Sequence, residues 1–222
     1  MRFSQFTLPA LLSGVALFSL PTMAQQYQFN YSKLYSQMKN NVKEGHPEVK
    51  VAFFFQDQSN GSICKIDKAW MEKDKHYEEF VIPSSQELIV PLDNNLRQVG
   101  PIVYVDTEKG KTCDFSMVVM TKHPLSGHVS YQKIAALLPQ MDKMLDDLGG
   151  MFSSWFSPEV IGLTLEFSDL QDGEILSAAG SVFPIKQGKA QIKLEDLSSQ
   201  DSLILPKETF RVLPLLNKSS KS

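Results

Sequence analysis

The stretch Val49-Lys50-Val51-Ala52-Phe53-Phe54-Phe55-Gln56 carries the strongest strand signal in the chain, because β-branched and aromatic side chains dominate it. Turn residues follow at 57–61, where Asn60-Gly61 favours the positive φ of a tight turn. We therefore predict a hairpin in which residues 62–71 return as the second strand. Neither face of that second strand is cleanly apolar, so it suits the edge of a sheet.

Four further segments downstream have strand composition and are separated by turn signals. These strands are predicted at residues 77–82, 87–92, 102–106 and 113–122, with turns at 83–85, 93–95 and 108–111. In the last strand, Cys113, Phe115, Met117 and Val119 alternate with a more mixed set of side chains. That alternation predicts one core face and one partly covered face.

Upstream of residue 49, an apolar stripe with helical spacing predicts a short amphipathic helix at the N-terminal end of the domain. The stripe consists of Tyr31, Leu34, Tyr35, Met38 and Val42. Asn30 is placed to cap the first turn, and Gly45 is placed to end the helix.

The pattern changes to a helical period after residue 130 and predicts one long central amphipathic helix. Its apolar stripe consists of Ile134, Leu137, Leu138, Met141, Met144, Leu145 and Leu148. Ser130 is the expected N-cap, and Gly149-Gly150 is the expected stop. Pro139 lies inside and is expected to kink or split the helix.

The remaining segments again have the composition of short strands separated by turns. Strands are predicted at residues 161–167, 203–205 and 210–213, with a hairpin of 181–186 and 190–194 around residues 187–189. This pattern predicts either a small sandwich or an open antiparallel sheet. The polar tail at residues 217–222 is expected to be flexible.

The predicted fold class is therefore α+β, with mainly antiparallel strands, one N-terminal helix and one long central helix. We expect an α+β region at residues 25–150 and a β-rich region at residues 151–216. Whether these two regions share one core is left open by the sequence.

The first 24 residues have the layout of a secretory signal peptide. Arg2 precedes an apolar run at residues 8–20, and Pro21 leads to a cut predicted between Ala24 and Gln25. The run is too short for a membrane span, which needs about 20 residues. We therefore expect a periplasmic protein of 198 residues, which is the chain of 222 residues less those 24, with no transmembrane segment.

The two cysteines, Cys64 and Cys113, are an even number in a chain expected to reach an oxidising compartment. Their simplest interpretation is one structural disulfide. The alternative is a redox pair, but such pairs usually lie close in sequence, and these two cysteines do not.

Composition excludes some partners. The formal net charge of −3 becomes −4 when Arg2 is removed with the leader, and no cluster of Lys and Arg stands out. A nucleic-acid footprint is therefore not expected. No cofactor motif is present either, and no cofactor is predicted.

One motif suggests catalysis. Ser130 and Lys133 have the Ser-x-x-Lys spacing of penicillin-binding proteins and β-lactamases, in which the lysine helps to activate a serine nucleophile. The downstream motifs of that family are missing, and Ser36 with Lys39 shows the same spacing by chance. The structural interpretation is that Ser130 caps a helix and that Lys133 is solvated. No catalytic residue is assigned.

Histidines and acidic residues are the candidate metal ligands and acid–base groups of the chain. His123 and His128 lie five residues apart with Pro124 between them, which favours a surface loop over a helical metal site. Asp142, Asp146 and Asp147 are expected on the solvated side of the long helix. No metal site is predicted.

A short apolar segment follows the long helix and includes Met151, Phe152, Trp155 and Phe156. These side chains form a candidate exposed patch for a partner or an apolar ligand. The alternative is that they pack into the core as the helix ends.

Several segments in order resemble an uncharacterised family of exported proteins from Gram-negative bacteria, known as domain of unknown function 2987. The matching segments are 31–35, 49–55, 64–66, 89–93, the strand around Cys113, 135–148, 162–167 and 211–214. The resemblance implies a periplasmic location. It implies no activity, cofactor, partner or catalytic residue.

The sequence favours a non-catalytic binding or accessory protein of the cell envelope. Two alternatives stay open, namely a periplasmic hydrolase with an unrecognised active site and a carrier of an apolar ligand. The expected partner is an envelope protein or an apolar molecule of unknown identity. The oligomeric state and the strand order are not accessible from the sequence.

Overall fold

The computed structural model describes residues 25–149 and 159–217. The helices and strands of the first half are β1 (Gln26–Asn30), α1 (Tyr31–Met38), β2 (Val49–Asp57), β3 (Ile66–Lys73), β4 (His76–Glu79), α2 (Asn94–Val99), β5 (Ile102–Thr107) and β6 (Cys113–Thr121). Those of the second half are β7 (His128–Ser130), α3 (Tyr131–Gly149), β8 (Val160–Glu166), β9 (Gly173–Ser177), β10 (Val182–Ile185), β11 (Lys189–Lys193), β12 (Ser202–Ile204) and β13 (Arg211–Leu216). Every strand pairing is antiparallel, which confirms the α+β class.

Strands β2 and β6 form a two-stranded ribbon, which we call the central ribbon. Its register runs without a break from Val49 opposite Thr121 to Asp57 opposite Cys113. The hairpin predicted between residues 49–56 and 62–71 is therefore wrong. Strand β2 is apolar on both faces, and β6 offers apolar side chains on both faces, whereas Lys65, Asp67 and Lys68 are exposed.

The predicted turn at residues 57–61 does form, with Gly61 at a φ of +70°. After it, the chain makes a single bridge between Gln56 and Ile63 and then leaves the ribbon. Cys64 donates its backbone N–H to the Phe55 carbonyl at 2.8 Å, and β3 begins two residues later in another sheet.

That other sheet, which we call the N-terminal sheet, has the strand order β1-β5-β3-β4. Its inner face packs on α1 and on one face of the central ribbon. The resulting N-terminal core contains Tyr31, Leu34, Met38, Phe53, Phe55, Ala69, Met71, Val103 and Val105, among others.

The segment between β4 and α2 is extended, but it forms no strand, so the strand predicted at residues 87–92 is wrong. Gln86 has a φ of +60°, and Pro83 and Pro91 interrupt the backbone donors that a ladder needs. Leu88 still donates its N–H to the Phe53 carbonyl at 2.9 Å and is buried. The segment therefore covers the N-terminal core without regular pairing.

The second half contains a four-stranded sheet, β10-β9-β12-β7, and a three-stranded sheet, β11-β8-β13. The turn predicted at residues 187–189 forms, with Gln187 and Gly188 both at positive φ. The hairpin around it is wrong, because only Lys186 and Lys189 bridge before β10 and β11 join different sheets.

Helix α3 begins at the predicted residue, and the Ser130 hydroxyl accepts the Lys133 backbone N–H at 3.2 Å. The helix continues through Pro139, so the predicted split does not occur. Its predicted stripe packs into a C-terminal core with strands from both sheets of the second half. The fully buried members of the stripe include Ile134, Leu137, Met141 and Met144.

Helix α1 has the predicted N-cap, since the Asn30 side chain accepts the Ser32 N–H at 2.9 Å. The helix ends earlier than predicted, and residues 39–42 form a 3₁₀ turn that leaves Val42 exposed. Asn41 explains the change, because its side chain donates to the Val51 carbonyl and accepts the Val51 N–H. These bonds hold the turn against the edge of β2.

The second face of the central ribbon is also covered. Ala52, Phe54 and Met120 form a middle cluster on that face, and Leu213 of β13 packs against it. Arg211 lies over Phe54 at 4.9 Å from the ring centroid. Its Nε donates to Glu166 at 2.6 Å, so a buried ion pair closes the cluster.

A disulfide joins Cys64 to Cys113 and links the start of the N-terminal sheet to the first residue of β6. Both cysteines are fully buried in the N-terminal core. Within the described ranges, no helix is both long and apolar enough to cross a membrane. The predicted signal peptide, residues 1–24 with Ala24, lies outside those ranges, as does the tail at 218–222.

Replacing both cysteines, as Cys64→Ser with Cys113→Ser, is expected to lower the free energy of unfolding by about 4 kcal/mol. The cysteines are 49 residues apart, and the bridge restricts the unfolded chain over that loop. Chemical denaturation with and without reductant measures the loss. Reductant should destabilise the unmodified chain and leave the double variant unchanged. Equal stability of both oxidised chains would contradict the prediction.

Candidate functional site

An apolar cavity opens between the β3–β4 hairpin and helix α2, and we call it the hairpin slot. Its volume is about 280 Å³. Its walls are mostly apolar and come from Met71, Tyr77, Leu96, Val99 and Pro101. Exposed polar side chains also line it, and these form its rim: Glu72, Lys73, His76 and Glu78.

Local capping positions helix α2 as one wall of the slot. The Asp93 carboxylate accepts the Asn95 N–H at 2.6 Å and caps the helix start. Gly100 ends the helix in the left-handed region, at a φ of +65°, and its N–H bonds to the Leu96 carbonyl. This short helix therefore presents Leu96 and Val99 to the hairpin.

Two tyrosines of α1 hold this wall in place. The Tyr31 hydroxyl donates to the Pro91 carbonyl at 2.7 Å and accepts the Asp93 N–H at 2.9 Å. The Tyr35 hydroxyl donates to the Asn94 side chain at 2.9 Å. Burial raises the pKa of Tyr31, so the hydroxyl stays a neutral donor.

The other wall comes from the hairpin, whose strands are joined at Asp74-Lys75, with Asp74 at a φ of +53°. Met71 lies opposite Glu78, and both face the slot. Tyr77 lies on the opposite face of the sheet from Met71, yet its ring reaches the slot from the edge strand. The hairpin therefore forms a wall with an apolar base and a charged margin.

The slot leaves large apolar surface in contact with solvent. Val99 is 54% exposed and Tyr77 is 52% exposed. Adjacent exposed apolar residues beside a concave apolar cavity are typical of binding surfaces. The volume of about 280 Å³ is near the lower limit for small-molecule pockets, so the slot suits one large apolar side chain or a group of that size.

An aromatic row on the outer face of the N-terminal sheet ends at this slot. Trp70 stacks on Tyr104 with ring centroids 5.2 Å apart, and Tyr77 lies 6.4 Å from Trp70. The Lys68 ammonium lies 5.3 Å from the Trp70 ring centroid, and a hydrogen bond with Tyr77 raises the pKa of Lys68. Tyr77 therefore belongs to both the row and the slot.

Ser130 and Lys133, which have the spacing of a catalytic motif, make structural contacts. Ser130 caps helix α3, and the Lys133 ammonium forms an ion pair with Glu48. Glu48 also donates its backbone N–H to Gln140 at 2.9 Å. Lys133 and Gln140 thus hold Glu48, which precedes β2, against α3. The lysine pairs with a carboxylate rather than with the serine hydroxyl.

His123 and His128 are both exposed. Among residues 25–149 and 159–217, no three potential metal ligands converge. His46 differs from them, because it is completely buried, with its Nε2 3.3 Å from an Asp147 oxygen. The sequence did not indicate this burial.

Asp147 connects three cationic or polar groups at the end of α3. Lys143 donates to it at 2.8 Å and Lys43 at 3.1 Å, and these bonds lower its pKa to about 2. The expected solvated helix face is therefore partly wrong, because Asp147 joins α3 to the loop that carries His46. Asp142 is also used internally, accepting the Val160 N–H at 3.0 Å, and burial raises its pKa.

A second cavity, of about 370 Å³, is lined by side chains of both charges. These include Lys50, Glu87, Lys122, Asp169 and Glu208. Lys50 and Glu87 already pair with each other at 2.7 Å. This mixed lining selects no ligand charge, so the hairpin slot is the stronger candidate site.

The predicted apolar patch of Met151, Phe152, Trp155 and Phe156 lies outside the described residues and stays a prediction. The sequence does not predict the hairpin slot, because residues 93–95 have the composition of a turn between strands, whereas helix α2 begins at Asn94. A usable signal was present, since Asp93 and Gly100 flank a six-residue segment as N-cap and C-cap.

A family model described as protein of unknown function (DUF2987) matches residues 23–167. This match covers both walls of the hairpin slot, the disulfide and helix α3. No curated protein and no solved structure matches the chain.

Replacing Asp147 with Asn is expected to lower the free energy of unfolding by about 1 to 2 kcal/mol at pH 7. A folded-state pKa of about 2, below the ordinary value of 3.8, stabilises the fold above about pH 4. That contribution is lost as the pH falls from about 4 towards 2. Denaturation curves of both chains should therefore converge in this acidic range.

The matched control is Asp146→Asn, which changes the exposed neighbour on the same helix. Its stability should stay close to that of the unmodified chain at every pH. An equal loss in the Asp146 and Asp147 variants would show that overall charge, rather than the two lysine contacts, is responsible.

Proposed function

The chain belongs to the DUF2987 family, whose description names no activity, and we propose that it is an exported, non-catalytic binding protein of the cell envelope. In this proposal, the hairpin slot receives an apolar group of a partner protein. The observation that carries the proposal is the exposure of Val99 and Tyr77 beside an apolar cavity.

In the free protein, water covers the apolar surface of Val99, Tyr77 and the slot. Burial of apolar surface contributes roughly 25 cal/mol per Å², so two half-exposed side chains and their cavity are a ready source of binding energy. The charged rim of Glu72, Lys73, His76 and Glu78 surrounds this surface. An apolar centre within a polar rim is the usual organisation of a protein interface.

The slot favours a protein side chain over a lipid. A carrier must enclose most of its ligand, and ligand pockets of that kind have volumes of about 300–1,000 Å³. The slot, at about 280 Å³, is smaller and borders an exposed strand edge. A protein partner therefore fits this site better than the apolar-ligand carrier considered from the sequence.

The proposed location rests on the sequence and on two supporting observations. The predicted leader ends at Ala24, and the next residue, Gln25, accepts the Cys113 N–H through its side chain at 3.1 Å. The carbonyl of Gln25 also accepts the Thr107 N–H. A cut after Ala24 thus preserves the contacts of Gln25, and the disulfide suits an oxidising compartment such as the periplasm.

Replacing Val99 with Lys is expected to abolish capture of the partner while leaving the melting temperature nearly unchanged. The substitution places a charge at the mouth of the slot, on a side chain that is half exposed and contributes little to the core. Affinity capture from an envelope extract of cells that produce the protein, followed by mass spectrometry, measures the result.

The matched control is Val81→Lys, because Val81 is 87% exposed and lies outside the slot. This variant should capture the same partner as the unmodified chain. Loss of capture by both variants, or by neither, would contradict a binding role for the slot.

Protein recovered from its own cells is expected to begin at Gln25 and to contain the Cys64–Cys113 bridge. Intact-mass and N-terminal peptide analysis measure both properties in one preparation. Retention of Ala24 and the preceding residues, together with free thiols, would disprove export while leaving the slot hypothesis testable in its own assay.

A further inference from the structure

We propose that the chain forms a two-fold dimer in which the free edge of β4 pairs with the same edge of a second copy. β4 is the outer strand of the N-terminal sheet, and within the described residues no strand pairs with its other side. All four of its residues are exposed, as are both residues of the preceding turn. Such an edge is a template for another strand.

The alternation of hydrogen bonds between β3 and β4 determines which backbone N–H and C=O groups of β4 point away from the sheet. Phe80 donates its N–H to the Ala69 carbonyl at 2.8 Å, so the pair of residues 69 and 80 is hydrogen-bonded. Bonded and non-bonded pairs alternate in an antiparallel ladder. The pairs Glu72–Tyr77 and Trp70–Glu79 are therefore non-bonded, and the backbone groups of Tyr77 and Glu79 point outwards.

This alternation restricts how two copies can pair. Outward-pointing residues must lie opposite outward-pointing residues, so a two-fold axis has to pass through a residue rather than between two residues. On β4 and its flanks, the axis can pass through Tyr77, Glu78 or Glu79 while retaining most of the strand. Charge separates these three registers.

An axis at Glu78 or at Glu79 places a carboxylate directly opposite its own copy, which is destabilising. An axis at Tyr77 places His76 opposite Glu78 and Lys75 opposite Glu79. It also brings the two Tyr77 rings together on the outer face, and cross-strand aromatic pairs are favourable. The polar side chains on this edge are thus complementary about Tyr77, since only this register places both Lys75 and His76 opposite carboxylates.

Charged residues on a short edge strand often serve to prevent association. That role needs charges that repel in the available registers. In the register at Tyr77, by contrast, the polar side chains of the edge form four attractive cross-strand contacts. Two of these join Lys75 to Glu79, and two join His76 to Glu78. This complementarity favours a second copy over an unrelated strand as the occupant of the edge.

The pairing has a consequence for the hairpin slot, although it does not depend on the proposed function. The two-fold axis is perpendicular to the sheet, so the two N-terminal sheets would form one continuous sheet of eight strands, twice the four of each copy. Both slots would then open on the same face, next to each other. A contact limited to one short strand is small, so the dimer belongs to the weak, concentration-dependent class.

A charge exchange tests the register directly. The variant with Glu78→Lys and Glu79→Lys should dimerise at least about tenfold more weakly, because the two Lys75–Glu79 contacts become repulsive and the two His76–Glu78 contacts lose their carboxylate. Adding Lys75→Glu and His76→Glu to that variant should restore dimerisation to within about threefold of the unmodified chain, because the contacts become attractive with inverted sign. Sedimentation from about 10 µM to about 1 mM measures these constants.

A cysteine trap locates the axis. In the Tyr77→Cys variant, the two new thiols face each other across Cα atoms about 5.5 Å apart, a distance that a disulfide spans. Mild oxidation should therefore cross-link this variant rapidly. The control is Val81→Cys, an exposed position that lies roughly 27 Å from its copy in this register and should cross-link far more slowly.

Restored association in the exchanged variant, with selective cross-linking at position 77, supports the dimer. An unmodified chain that stays monomeric over the whole concentration range overturns it. Equal cross-linking at positions 77 and 81, or failure of the four-residue exchange to restore association in a folded variant, also overturns it. A dimer unaffected by the charge changes would mean that copies associate through another surface.

Discussion

The burial of β2 on both faces is the constraint on which the rest of the structure depends. Phe53 and Phe55 enter the N-terminal core, whereas Ala52 and Phe54 face the opposite way and enter the middle cluster. Val49, at the start of the strand, belongs to the C-terminal core. A strand of this kind needs apolar cover on both sides, so elements from both halves of the chain must pack on it. The central ribbon thereby joins three clusters of buried residues.

Helices α1 and α3 were predictable because each one packs against a single core, whereas the six-residue helix α2 was not predicted. Asn30 and Ser130 cap these two helices. Most side chains of the two predicted stripes are buried or partly buried, and Val42, which lies beyond the end of α1, is exposed. Strand partners were less predictable. Local turn chemistry at Asn60-Gly61 and at Gln187-Gly188 is correct, but the ladders after both turns are decided by which distant strand offers matching apolar faces. Such long-range matching is not visible in the spacing of neighbouring residues.

The candidate site shows the same limit at a smaller scale. The walls of the hairpin slot come from a hairpin at residues 71–78 and from a helix of six residues, and neither carries a chemical motif. The sequence of this short helix does not indicate that Leu96 and Val99 line a cavity. Their importance arises from Tyr31 and Tyr35, which hold the helix beside a hairpin about 20 residues away in sequence. A site formed only by apolar side chains can therefore be recognised only once the tertiary contacts are known.

The position of the disulfide explains why the tip of the β3–β4 hairpin can remain open. Cys64 lies two residues before β3, and its bridge to Cys113 attaches the base of the hairpin to the first residue of β6. At that end the chain is buried in the N-terminal core, whereas at the tip the residues of β4 are exposed along both faces. A covalent anchor at the base keeps the hairpin directed towards α2 without requiring its tip to pack. The outer strand can then leave its backbone groups and the adjacent apolar slot available to another chain, an exposure that a hairpin held only by packing would tend to lose by local opening.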